Sequence, residues 1–155
     1  MILKGKLQWS GILKLHIDPE ENEIDLPTKG LTLNKKLHIT LVHQECFKLL
    51  EFQGKQFNKY LKKNTIKNNQ MEVEIDINLT SASIFEEKNK KTLVFFVTDQ
   101  CQKELQSLVQ VFFKEYGLKE QFNSIRPNTP DNGRLFHLSY SNATGNPGDS
   151  IAVVW

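Results

Sequence analysis

The sequence predicts an α+β fold with an approximate internal duplication. Three observations carry that expectation. Apolar residues alternate with polar ones in several short runs, as half-buried strands require. Two longer segments repeat apolar residues every three or four positions, the spacing of amphipathic helices. Each half of the 155-residue chain also holds a predicted strand containing a His-x-Thr or His-x-Ser tripeptide. The length fits one domain, residues 1–155, with lobes of approximately 1–65 and 66–155.

Taken in order, residues 2–17 read as two strands around a turn at Ser10-Gly11, with Leu3, Leu7, Leu13, Leu15 and Ile17 among the apolar positions. Residues 18–22 form a polar turn, and 26–30, with a Pro and a Gly, a loop. Residues 36–43 (KLHITLVH) are a strand, being β-branched and apolar with polar residues interspersed. Residues 45–63 switch to helical spacing, interrupted by Gly54. A Lys/Asn-rich linker over 62–69 separates the halves. Residues 71–79 (MEVEIDINL) alternate strictly, with Met71, Val73, Ile75, Ile77 and Leu79 on one face. Residues 82–85 and 92–98 read as a hairpin with a charged turn over 86–91, and the nearly continuous TLVFFVT as a central strand. Leu105, Leu108, Val109, Phe112, Phe113 and Tyr116 define a helix over 100–117 that Gly117 stops. Residues 122–133 form a two-proline loop, 135–141 (LFHLSYS) a strand, 142–148 (NATGNPG) a turn and 149–155 a closing strand.

Hydrophobic residues make up 39% of the chain, enough for a substantial core, and the net charge of +2 is too mild for a nucleic-acid coat. Cys46 and Cys101 stand apart and form no CxxC pair, which argues against a zinc site and a disulfide framework. No apolar run resembles a signal peptide or reaches the ~18 residues of a membrane span. These features lead to the expectation of a cytoplasmic protein with no membrane partner.

The chemistry concentrates in Leu37-His38-Ile39-Thr40 and Phe136-His137-Leu138-Ser139. The chain has four histidines, and two of them share this motif. In a strand, residues two apart point to the same side. His38 therefore projects with Thr40, and His137 with Ser139, while Ile39 and Leu138 face the core. Such pairs suit phosphodiester chemistry. One imidazole takes a proton from the attacking oxygen and the other protonates the leaving oxygen. The two hydroxyls donate to the non-bridging phosphoryl oxygens. The chemistry needs no metal or other cofactor, and the sequence lacks a convincing set of metal ligands.

The pattern resembles the two-histidine (2H) phosphoesterase superfamily, which includes RNA 2′,3′-cyclic phosphodiesterases and viral and bacterial nucleotide phosphodiesterases. The resemblance rests on LHIT and FHLS, and more loosely on Gly133–Ser139 with 142–149. It implies two pseudosymmetric lobes, each an antiparallel sheet with a covering helix, facing across a cleft. It also implies that His38 and His137 act as acid and base and that Thr40 and Ser139 bind phosphate, in a metal-independent phosphodiesterase. The substrate would be an RNA end, a 2′-5′ linkage, a cyclic nucleotide or a cyclic oligonucleotide. Arg134 and Tyr140 are further candidates for substrate binding, although alternation also places Tyr140 in the core. The loops 18–35 and 122–134 are expected to flank the cleft, and His16 reads as structural. The alternative is a non-catalytic module of the same fold that holds nucleotides or RNA ends.

Overall fold

The alternating runs fold as strands of one antiparallel sheet in a computed structural model, which describes residues 1–9, 13–42, 71–115 and 135–150. The strands are β1 (Ile2–Trp9), β2 (Leu13–Ile17), β3 (Thr32–Leu33), β4 (Leu37–Val42), β5 (Glu72–Asp76), β6 (Ser83–Glu87), β7 (Lys90–Phe96) and β8 (His137–Asn142). Helix α1 spans Asp99–Glu115. The sheet order is β5-β1-β2-β4-β8-β7-β6, with β3 also paired to β8. Beyond the ends of β5 and β7, Ile77 bridges Val97. There Asn78 N donates to Phe96 O (2.9 Å) and Thr98 N to Asp76 O (2.9 Å), so the sheet meets itself at that end.

One face of the sheet makes the core. Leu3, Leu7, Leu15, Ile17, Ile39, Leu41, Phe95 and Leu138 pack there with Cys101, Leu105 and Val109 of α1. Those three helix positions repeat at i, i+4 and i+8, so a single stripe faces the sheet. Thr98 caps the helix, its Oγ1 accepting from Cys101 N at 3.3 Å. Burial of Thr92, Leu93, Val94 and Phe95 makes β7 an interior strand, as its continuous apolar run predicts. The fold is a mixed α+β one, with α1 the one α-helix among the described residues.

Several boundaries differ from the sequence reading. The 71–79 strand stops at Asp76, because Asn78 caps a short 3-10 turn, its side chain accepting from Thr80 N. Leu79 and Met71 consequently lie exposed at the ends of the stripe. The hairpin turn is two residues, not six. Glu86 pairs with Lys91 and Glu87 with Lys90, and Lys88 takes the left-handed φ of 54° that the tight turn needs. The loop over 18–35 contains β3. Its Leu26 belongs to the core, and Tyr140 Oη and Ser141 Oγ donate to Leu26 O and Thr28 O. That part of the loop packs on the apolar side, away from where a cleft-flanking role would put it. Residues 147–149 form a 3-10 turn, so the predicted 142–148 turn runs on through Asp149. The 45–63 helix with Cys46, the 62–69 linker, the 122–133 loop, His43 and residues 151–155 lie outside the described residues. No helix among the described residues is long and apolar enough to cross a membrane.

Candidate functional site

The two His-x-Thr/Ser motifs occupy neighbouring strands. Ile39 of β4 pairs with Leu138 of β8 in antiparallel register. Alternation then sets position 38 across from 139 and position 40 across from 137. All four side chains lie on the face opposite the core, each half-buried, while Ile39 and Leu138 are fully buried beneath them. Each histidine thus has the other strand's hydroxyl residue as its cross-strand neighbour.

The two motifs are built alike. His38 Nδ1 donates to Lys36 O at 3.4 Å, and His137 Nδ1 donates to Leu135 O at 2.8 Å. In each case the acceptor is the carbonyl two residues upstream. A carbonyl only accepts, so the proton sits on Nδ1 and Nε2 keeps the basic lone pair. Each motif is also followed at once by a bulge. Lys14 and Leu13 of β2 face Thr40 and Val42, leaving Leu41 extra. Val94 and Leu93 of β7 face Ser139 and Ser141, leaving Tyr140 extra. Bulges re-aim the side chains beside them and are common next to functional sites.

Burial pushes the His38 imidazole below its usual proton affinity. Lys14, His137 and His16 push in the same direction, against the bond to Lys36 O. His137 is lowered by burial, opposed by its bond to Leu135 O. Both shifts favour the neutral ring. Phe96 walls the second imidazole, its ring edge-on to that of His137 at 6.0 Å.

Two buried amides hold the frame. Gln102 of α1 grips the backbone of Phe136, the residue before His137. Its Nε2 donates to Phe136 O (2.9 Å) and its Oε1 accepts from Phe136 N (2.8 Å). Asn34 ties the two motif strands together. Its backbone N donates to Tyr140 O (2.9 Å), its Nδ2 to Ser139 O (3.4 Å), and its Oδ1 accepts from Lys36 N (3.2 Å). Lys36 is the residue whose carbonyl holds His38.

No known protein family, curated protein or solved structure matches this chain.

The structure brings together His38, Thr40, His137 and Ser139, and it separates Tyr140 from them. The Tyr140 ring lies on the core face, 5.7 Å from that of Phe95, and its hydroxyl bonds Leu26 O. Burial raises its pKa, and it has no path to a ligand over the histidines. That corrects its placement as a substrate contact. Arg134 lies outside the described residues. The backbone N–H groups of the 144–150 turn are committed within the turn, to Asn142 Oδ1, Thr144 Oγ1, Asn146 Oδ1, Asn146 O and Pro147 O. They cannot cradle an anion.

His16 corrects the reading in the other direction. It pairs with His38 across β2 and β4 on the same face, and Lys14 pairs with Thr40. Alternation in LKLHI already put both on a polar face; the pairing partner was the hidden part. Gln102 carried a signal too, as an amide on the apolar stripe of α1. Asn34 carried none. Among the described residues, no three His, Cys, Asp or Glu side chains converge as a metal site would require.

Proposed function

We propose that the chain is a metal-independent phosphodiesterase that cleaves a nucleotide phosphodiester by two-histidine general acid–base catalysis. The observation that carries this reading is the matched construction of the two motifs. Both present a basic Nε2 and a neighbouring hydroxyl on one face, and both fix the ring through Nδ1 and the carbonyl two residues back. A histidine that merely fills space needs no such repetition.

In the reaction, one Nε2 takes the proton of the attacking water or hydroxyl. The other imidazole begins protonated at Nε2 and gives that proton to the leaving oxygen. The bond from Nδ1–H to a carbonyl also stabilises the imidazolium that forms. Thr40 and Ser139 donate to the non-bridging oxygens as charge grows there. The proton then returns between the rings through water before the next cycle.

The same reading treats the sheet as two lobes of one design meeting at β4 and β8, with β5 crossing to the first. It places the protein in the cytosol, acting on a nucleotide, a cyclic oligonucleotide or an RNA end. The test is turnover of nucleoside 2′,3′-cyclic phosphates, 2′-5′-linked oligonucleotides and cyclic dinucleotides by the wild type and a His38→Ala/His137→Ala variant. Cleavage by the wild type alone is expected. Tight binding across that panel with no cleavage would overturn the enzymatic reading in favour of a binding module.

A further inference from the structure

On the histidine face, lysines of the outer strands have acidic neighbours. Lys4 pairs with Glu74 and Lys6 with Glu72 across β1 and β5. Lys6 Nζ also lies 3.6 Å from Glu21, and Lys90 of the β6–β7 hairpin pairs with Glu87 across the turn. Lys14 is different. Its cross-strand neighbours are Gln8 on β1 and Thr40 on β4, both uncharged. It forms no ion pair among the described residues. Around it stand the protonatable rings of His16, on its own strand, and His38, and the cation of Lys36, whose proximity adds to burial in lowering the lysine's proton affinity. The arrangement is a half-buried cation among other cationic or protonatable groups, with no carboxylate paired to it among the described residues. By itself such a grouping is electrostatically unfavourable. An anionic ligand removes the penalty.

The scissile phosphate of the proposed reaction sits over β4 and β8, between the two imidazoles and the two hydroxyls. Lys14 and His16 lie one strand further out on β2. At about 4.8 Å per strand, their Cα atoms stand about 10 Å from β8. They are displaced to one side of the reacting group, where the next phosphate of a nucleotide chain would lie. We propose that Lys14 and His16 seat a second phosphate of the substrate, so that the site takes a nucleotide bearing at least two phosphate groups. This rests on the phosphodiesterase reading for the position of the first phosphate.

Two uncleavable ligands test the idea apart from catalysis. Adenosine 3′,5′-bisphosphate and adenosine 5′-monophosphate are titrated into the wild type by calorimetry. The bisphosphate should bind about ten- to a hundredfold more tightly, the range of one or two charge-assisted hydrogen bonds. Lys14→Ala should erase the difference by weakening the bisphosphate far more than the monophosphate, and Lys14→Arg should keep it. Lys14→Gln serves as a near-isosteric second variant, with thermal melts confirming that each is folded. Equal affinity of the two ligands for the wild type overturns the proposal, as does an equal loss of both in Lys14→Ala, which would assign the lysine to the first phosphate. Turnover of the phosphodiester panel is scored separately. A bisphosphate preference that depends on Lys14 without turnover would keep the subsite and discard the hydrolase.

Discussion

Ile39 of β4 lies across from Leu138 of β8, and both side chains are fully buried. That apolar pair sets the face on which both histidines emerge. A slip of one residue in either strand would send one motif into the core and an aliphatic side chain to the surface. Leu138→Ala should therefore do two things. It should lower stability by about 2–5 kcal/mol, the range for a buried leucine. It should also loosen the register, which heteronuclear NMR would read as broadening of the His38 and His137 ring signals. Loss of stability with both signals still sharp would mean that other contacts set the register.

His38→Ala and His137→Ala should each lower kcat by about 10²–10⁴-fold, the usual contribution of a positioned general acid or base. Ser139→Ala should lower it by about 10²–10³-fold through loss of one donor to the developing charge. These side chains are half-buried on the face opposite the core, so melting temperatures should change little. The double histidine variant should lose far less than the product of the single losses, because the two groups act as one unit. Steady-state kinetics on one cleaved substrate decides this, and independent, multiplicative losses would count against a coupled pair.

The pH dependence follows from the direction of the shifts. Both imidazoles titrate below the ordinary value of 6.5. The profile of kcat/KM reports the free protein, so its bell should peak on the acid side of pH 6.5. Stability carries the same sign. In the unfolded chain these histidines bind protons more readily than in the folded one. Folding is thus fully favoured above pH 6.5, and that contribution is lost as pH falls through the lower folded-state values. A His38→Gln/His137→Gln variant should flatten this part of the stability curve, measured by urea unfolding at a series of pH values. An unchanged slope would place the two rings in a more solvated setting than the structure gives them.

The legible parts of this site are those that alternation alone determines. His38 with Thr40, and His137 with Ser139, share a face because the period of a strand is two, and TLVFFVT announced an interior strand by its composition. Pairing partners were not legible. Nothing local in LKLHI says that β2 lies beside β4, so His16 read as structural although it faces His38. Tyr140 shows the opposite limit. Alternation put it in the core, and the bulge beside Ser139 leaves it there, hydrogen-bonded to Leu26 O. The 86–91 segment read as a turn because it is charged, yet cross-strand pairs such as Glu86–Lys91 let charged residues occupy an exposed hairpin.

Gln102 joins the helix to the second motif. Replacing it with Leu keeps the bulk but removes both bonds to Phe136. Phe136 O retains Val97 N at 3.3 Å, whereas no other described residue accepts from the buried Phe136 N. The expected loss is about 1–3 kcal/mol, the cost of one stranded buried donor. Gln102→Glu should behave differently from Leu. It restores an acceptor for Phe136 N but sets a carboxylate against Phe136 O, so it should be rescued in part at low pH, where the acid can donate. Chemical denaturation at two pH values separates the cases, and equal stability of the two variants at both would show that Gln102 acts through packing alone.

Gly145 and Gly30 both hold φ at +79°, so the two isolate packing from backbone conformation. A Cβ at Gly30 meets nothing within 4 Å, whereas one at Gly145 would sit 2.8 Å from Leu33 O and 2.9 Å from Thr32 Cγ2. Gly30→Ala should therefore cost only the left-handed penalty of about 1–2 kcal/mol. Gly145→Ala should cost that and more, because the turn must pull away from β3. Backing away strains the bond from Lys35 N to Gly145 O (2.9 Å) and the grip of Asn142 on the same turn, whose Nδ2 donates to Asn146 O (2.7 Å). Lys35 precedes the residue whose carbonyl holds His38, so the strain reaches the first motif as well as the second. Gly145→Ala should thus lower both the denaturation midpoint and turnover, while Gly30→Ala lowers only the midpoint. Equal midpoints for the two variants would show that β3 yields without cost and that the turn does not brace the site.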